Sequence, residues 1–131
     1  MTVSLADPTR VLIVESVSEL ATLWKSHLER QGMTVTCTRG QEDAIAHLSE
    51  HVTDIIILDL VIDEGSALAV ADYTNYRQPD ARVIFVTNTS FFSDGSIFAH
   101  SANARAFVQS GTLPEDLAAM VAHYGAERSA S

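Results

Sequence analysis

Asp54-Ile55-Ile56-Ile57-Leu58-Asp59 sets four aliphatic residues in a row between two carboxylates. A strand covered on one face alternates apolar with polar residues, whereas an unbroken apolar run needs cover on both faces. This segment therefore predicts a strand inside a parallel sheet, between two layers of helices. Its last residue, Asp59, then stands at the carboxyl end of a buried strand. Open parallel sheets gather their chemistry at those ends.

The same alternation of short strands and amphipathic helices extends in both directions. Upstream, Arg10-Val11-Leu12-Ile13-Val14 reads as a second doubly covered strand. From Ser18, an acceptable N-cap, apolar residues recur at Leu20, Leu23, Trp24 and Leu28 as one helix face, which Gly32 ends. A strand from Met33 to Thr38 and a helix from Gln41 to Glu50, burying Ala44, Ile45 and Leu48, complete that half. Downstream, the polar turn Asp63-Glu64-Gly65-Ser66 leads into a helix from Ala67 to Tyr76. Pro79-Asp80 then turns the chain into the strand Arg82-Val83-Ile84-Phe85-Val86. A less regular region follows Thr87, with a helix near Ser96. Ala106-Phe107-Val108 reads as a short strand. Thr112 caps a last helix whose inner face is Leu113, Leu117, Met120, Val121 and Tyr124, with Pro114 in its first turn.

Five strands alternating with five helices imply an α/β fold: a doubly wound parallel sheet with right-handed crossovers. The 131 residues fit one domain, 47% of them hydrophobic and 19% charged, which supports a buried core. The expected division is an extension over residues 1–9, the domain over 10–125, and a frayed tail over 126–131. A formal charge of −9 without a Lys/Arg cluster argues against binding nucleic acid or anionic membranes. No secretory signal or membrane-length apolar run is visible, so a cytoplasmic protein is expected. The single cysteine, Cys37, reads as a buried, inert strand thiol. His27, His47, His51, His100 and His123 read as surface or half-buried helix residues rather than metal ligands.

Polar residues directly follow four of the strands: Glu15 and Ser16, Asp59, Thr87 and Asn88, and Gln109 and Ser110. Any one of them can be the start of a solvated loop. Together they weigh toward a site at one end of the sheet.

Three segments in this order resemble the receiver domains of two-component response regulators. These are Val11-Leu12-Ile13-Val14-Glu15, then Asp54 to Ile62 with Glu64-Gly65-Ser66 and Leu68, then Arg77 to Thr87. The resemblance runs from Arg10 to Tyr124. It implies a CheY-like, flavodoxin-type sheet of strand order 2-1-3-4-5 with five helices. It also implies that Asp59 accepts a phosphoryl group from a sensor histidine kinase or phosphotransfer protein. Magnesium would be held by Glu15, Asp59, the backbone carbonyl of Val61 and whatever stands at position 16, with the Thr87 hydroxyl on the phosphoryl oxygen. The implied output is a downstream protein target, met at the surface of the fourth helix, fifth strand and fifth helix. Phe91 and Phe92 near the fourth helix would be anchors there, including for a homodimer, although core packing accounts for most of Phe91, Phe92, Ile97 and Phe98.

The sequence departs from the family at the reaction centre. Position 16, usually a second acid, is Ser16, and position 109, usually a lysine, is Gln109. Ser110 replaces a proline, Ala106 the switch aromatic, Asp63 a loop proline and Ala67 a glycine. Losing one acid and one lysine together leaves the empty site at about −2, as in the family. Magnesium binding should still weaken, because a neutral hydroxyl is a poorer ligand than a carboxylate. Asp63 or Glu64 supplies a replacement ligand only if its loop folds inward, and solvated loop acids are the reading favoured here.

The expected function is thus a receiver module rather than an enzyme, with no output domain in the chain and phosphorylation weak or kinase-dependent. The alternative is a phosphorylation-independent adaptor of the same fold. A phosphatase of the haloacid dehalogenase type needs a second aspartate two residues after the first, where Val61 stands. A flavin-binding reading lacks glycine after the first strand.

Overall fold

A computed structural model describes residues 8–87 and 104–127. Nine elements follow one another: β1 Arg10–Val14, α1 Ser18–Arg30, β2 Thr34–Thr38, α2 Gln41–Glu50, β3 Ile55–Asp59, α3 Ala67–Arg77, β4 Arg82–Thr87, β5 Ala104–Gln109 and α4 Pro114–Glu127. All strand pairings are parallel, and the sheet order is β2-β1-β3-β4-β5. Fold class and strand order are as expected. Four helices lie among the described residues. The helix expected near Ser96, with Asn88, Phe91, Phe92, Ile97, Phe98 and His100, lies outside them.

The unbroken aliphatic strands bury both faces, as their sequences require. Val11, Ile13, Ile55, Ile57, Ile84 and Val86 point to one side and pack with Trp24 and Leu28 of α1 and Leu117 and Val121 of α4. Leu12, Val14, Ile56, Leu58, Val83 and Phe85 point to the other, against Ala44 and Leu48 of α2 and Val70 and Ala71 of α3. Each strand residue thus belongs to one of two cores by parity, since side chains alternate across a strand.

Some local expectations shift. Val17, not Ser18, is the N-cap of α1, and no side chain caps that end. Leu23 and Leu113 are exposed, because the inner faces centre on Trp24 and Leu28 in α1 and on Leu117, Ala118 and Val121 in α4. Ser66 caps α3 by accepting the Ala69 N–H at 3.3 Å. Cys37 is exposed rather than buried, since β2 is an edge strand and leaves one flank open. Its Sγ lies 3.9 Å from the Ala21 carbonyl oxygen, and desolvation there raises the thiol above its ordinary value. Less thiolate at neutral pH keeps it quiet, the chemical outcome expected of a buried one.

Candidate functional site

Sheet register brings the polar strand ends together. Val14 pairs with Leu58, so Glu15 and Asp59 each stand one residue past that rung on adjacent strands. Asp59 pairs with Val86 and Thr87 with Gln109, which sets all four side chains along one sheet end. This is also where strand order reverses between β1 and β3, the usual position of a ligand crevice. A cavity of about 640 Å³ lies at the opposite end, beside Asp54, Gln78 and Arg82. It sits at the amino ends of β3 and β4, away from the acids.

Glu15 is the most unusual residue of the group. It is 1% exposed. Its Oε2 accepts the Val17 N–H at 3.0 Å, while Oε1 has no hydrogen-bond donor among the described residues. Its carboxyl is pushed up from 4.5 to about 7, first by burial, then by its hydrogen bond to Asp59 and by that residue's charge, against the opposing Val17 N–H. A charged Glu15 has no proton to give Asp59, which leaves Oε1 without a donor. Asp59 is half-buried, and its Oδ1 accepts the Val61 N–H at 2.9 Å. An orphaned, dry carboxylate oxygen beside a second carboxylate is what a small divalent cation or a proton would satisfy. The all-oxygen donor set fits magnesium.

Ser16 is spent elsewhere. Its Oγ donates to the Arg39 carbonyl at 2.9 Å and accepts the Asp63 N–H at 2.8 Å. Arg39 in turn reaches Ser18 Oγ through Nη1 at 3.3 Å, joining the loops after β1 and β2. Thr87 is fully buried, its carbonyl accepting the Ser110 N–H at 2.6 Å. Gln109 is exposed at the end of β5, and the side chain of Val61 is 61% exposed.

The loop acids do not join the pair. Glu64 Oε1 lies 3.4 Å from the Glu42 N–H at the start of α2, where a carboxylate meets the positive end of the helix dipole. No group of three or more His, Cys, Asp or Glu that could hold a metal occurs among the described residues. His47 and His51, one turn apart, are less scattered than expected. Their rings stack with centroids 4.6 Å apart, and burial with the neighbouring imidazole lowers His47 below its ordinary value.

A five-stranded parallel sheet of this order, with an acidic rather than glycine-rich first loop and a carboxylate ending β3, defines a receiver-type architecture. The chain belongs to the response regulator receiver domain family, whose sequence profile matches residues 11–122. It is 29% identical over 75 residues to the luminescence regulatory protein LuxO of Vibrio campbellii, covering 57% of this chain and 17% of that protein. It is 26% identical over 109 residues to the response regulator SaeR of Staphylococcus aureus, covering 83% of this chain and 47% of that protein. The chain thus spans less than half the length of these curated relatives. A CheY-like receiver domain protein from Methanospirillum hungatei superposes with a TM-score of 0.85 at 18% identity, over 94% of this chain and 98% of that one. TrrA from Thermotoga maritima, solved with Mg(2+)-BeF, gives 0.77 at 22% identity, over 88% and 98%. These two likenesses show the fold. No described helix is long and apolar enough to cross a membrane.

Proposed function

We propose that this domain accepts a phosphoryl group on Asp59 from a histidine kinase or phosphotransfer protein in the cytoplasm and signals through a protein-interaction surface. The observation that carries the reading is the half-buried Asp59 carboxylate beside the buried, orphaned oxygen of Glu15 at the switch point of the sheet. An Asp59 oxygen attacks phosphorus, the phosphorus–nitrogen bond of the donor histidine breaks, and its electron pair stays on the imidazole. Glu15, Asp59 and the Val61 carbonyl would hold magnesium, which neutralises the charge gathered when phosphate meets two acids. Thr87, one residue past the partner of Asp59 on β4, would donate its hydroxyl to a phosphoryl oxygen. The test is intact mass after incubation with magnesium and a small phosphodonor, and again with a phosphorylated histidine phosphotransfer protein. Addition of one phosphoryl group is expected, with the protein donor faster; unchanged mass with both donors would refute the reading.

Gln109 offers one neutral hydrogen bond where a lysine would offer a charge-assisted one. Charged hydrogen bonds contribute about 1.5–3 kcal/mol against about 0.5–1.5 for neutral ones. Gln109→Lys should therefore raise the rate of labelling by the small phosphodonor about tenfold, since about 1.4 kcal/mol is tenfold. The stopped-flow or mass time course checks this, and equal rates would place position 109 outside the reaction.

The neutral Gln109 and the committed Ser16 hydroxyl also favour a second reading, an adaptor of this fold that works through its surface without phosphate. An unmodified Asp59 together with retained partner binding would select it.

A further inference from the structure

We infer that Ser16, in the place of an acid, is a positioning residue that clasps the loop after β3 to the turn before α2, so that a hydroxyl and not a cation sets the loop's shape. The bearing of this clasp on magnesium, and nothing else in it, rests on the function proposed above.

The hydroxyl makes two bonds of opposite sense. It gives its one proton to the Arg39 carbonyl at 2.9 Å and takes the Asp63 N–H at 2.8 Å. Ser16 is only 7% exposed, so water competes poorly for either partner. A carboxylate at this position could accept from Asp63 but has no proton for Arg39, and would set negative oxygen against a carbonyl. Serine therefore satisfies both loops where aspartate satisfies one.

The two loops are shaped to lie together beyond this bond. The Gln41 N–H donates to the Glu64 carbonyl at 3.0 Å, and Gln41 Oε1 accepts the Ser66 N–H at 2.8 Å. Gly40 is needed at the crossing: a Cβ there would lie 2.9 Å from the Glu64 carbonyl oxygen. Gly65 has φ +86°, and a Cβ there would collide with Gln41. The peptide carrying Val61 is thereby held at both ends, by Asp59 Oδ1 on the Val61 N–H and by Ser16 on the Asp63 N–H. The Val61 carbonyl, the expected backbone ligand, is positioned before any cation arrives.

Amide hydrogen exchange on the whole chain tests the clasp in the parent, Ser16→Ala and Ser16→Thr, each in chelator and in magnesium. Without the clasp, Ser16→Ala should exchange Asp63 and its loop neighbours roughly tenfold faster or more, while amides of β3 and β4 stay protected. Ser16→Thr keeps the hydroxyl and should retain the parent's protection in chelator. Gly40→Ala, which leaves Ser16 intact, should loosen the same loop. Parent-like exchange at Asp63 in Ser16→Ala would overturn the clasp. Magnesium titration by calorimetry adds a second discriminator: any loss of affinity in Ser16→Ala should accompany the loosened loop and be absent in Ser16→Thr, whereas a loss with loop protection intact would make Ser16 a ligand. Exchange in chelator involves neither phosphate nor metal, so it decides the clasp independently of what Asp59 does.

Discussion

Asp59→Asn should gain no mass under conditions that phosphorylate the parent, and at pH 8 it should be more stable than the parent by about 1 kcal/mol. The first effect follows from chemistry, since a carboxamide oxygen is no nucleophile toward phosphorus at neutral pH. Glu15 cannot take over, because its carboxyl is buried, and burial is the first cause that disfavours its charged form. The second effect follows from the coupling. Asp59 raises Glu15 both as hydrogen-bond partner and as charge, and asparagine removes the charge while its Oδ1 can still accept the Val61 N–H. Only part of the rise disappears, since burial is its first cause. Mass spectrometry and urea titration at pH 8 check the pair. A phosphorylated Asp59→Asn would move the acceptor elsewhere, and equal stabilities would mean the two acids do not interact.

Glu15→Gln should flatten the pH dependence of stability. The folded carboxyl titrates near 7, above its ordinary 4.5, with burial as the first cause. A group raised in the folded state contributes its full stability below the unfolded value, and loses it as pH rises through the folded one. In chelator the parent should therefore weaken between about pH 4.5 and pH 7, by up to about 3 kcal/mol for a rise of this size. Glutamine keeps an acceptor for the Val17 N–H and gives Asp59 a permanent N–H donor, with nothing to titrate. Its urea midpoint should stay level over that range while the parent's falls. Magnesium should lift the parent at pH 8 and leave Glu15→Gln nearly unmoved, because the cation stabilises the charged form that glutamine lacks. A level parent profile in chelator would mean that Glu15 is not held in the protonated form.

Both expectations place the cost of this site in one buried oxygen. A receiver-type centre gathers acids so that a cation can later bridge them to phosphate. Here the third acid is absent, and the buried Glu15 carboxyl favours its protonated form beside Asp59. The exposed Gln109 and the buried, doubly bonded Ser16 show two different fates for altered positions. One loses a charge and stays available; the other takes up a structural task.

Much of this was legible along the chain. The runs Val11 to Val14 and Ile55 to Leu58 require cover on both faces, and that requirement fixes a parallel sheet between helix layers. The order of motifs around Glu15, Asp59 and Thr87 then gave the family and singled out the candidate site. Periodicity was less exact for helix faces, where Leu23 and Leu113 fit the pattern yet face solvent. Cys37 went the same way, because a sequence shows a strand but not whether that strand lies at an edge.

Local sequence by itself determined the elements, the two cores and the identity of the acids, since burial patterning repeats every two or 3.6 residues within one segment. Only the tertiary structure decided what those side chains do to each other. The coupling of Glu15 to Asp59 depends on the β1–β3 register, and the Ser16 clasp joins residues 23 and 47 positions away. Hydrogen bonds and desolvation act over a few ångströms in space, and no spacing along the chain records that distance.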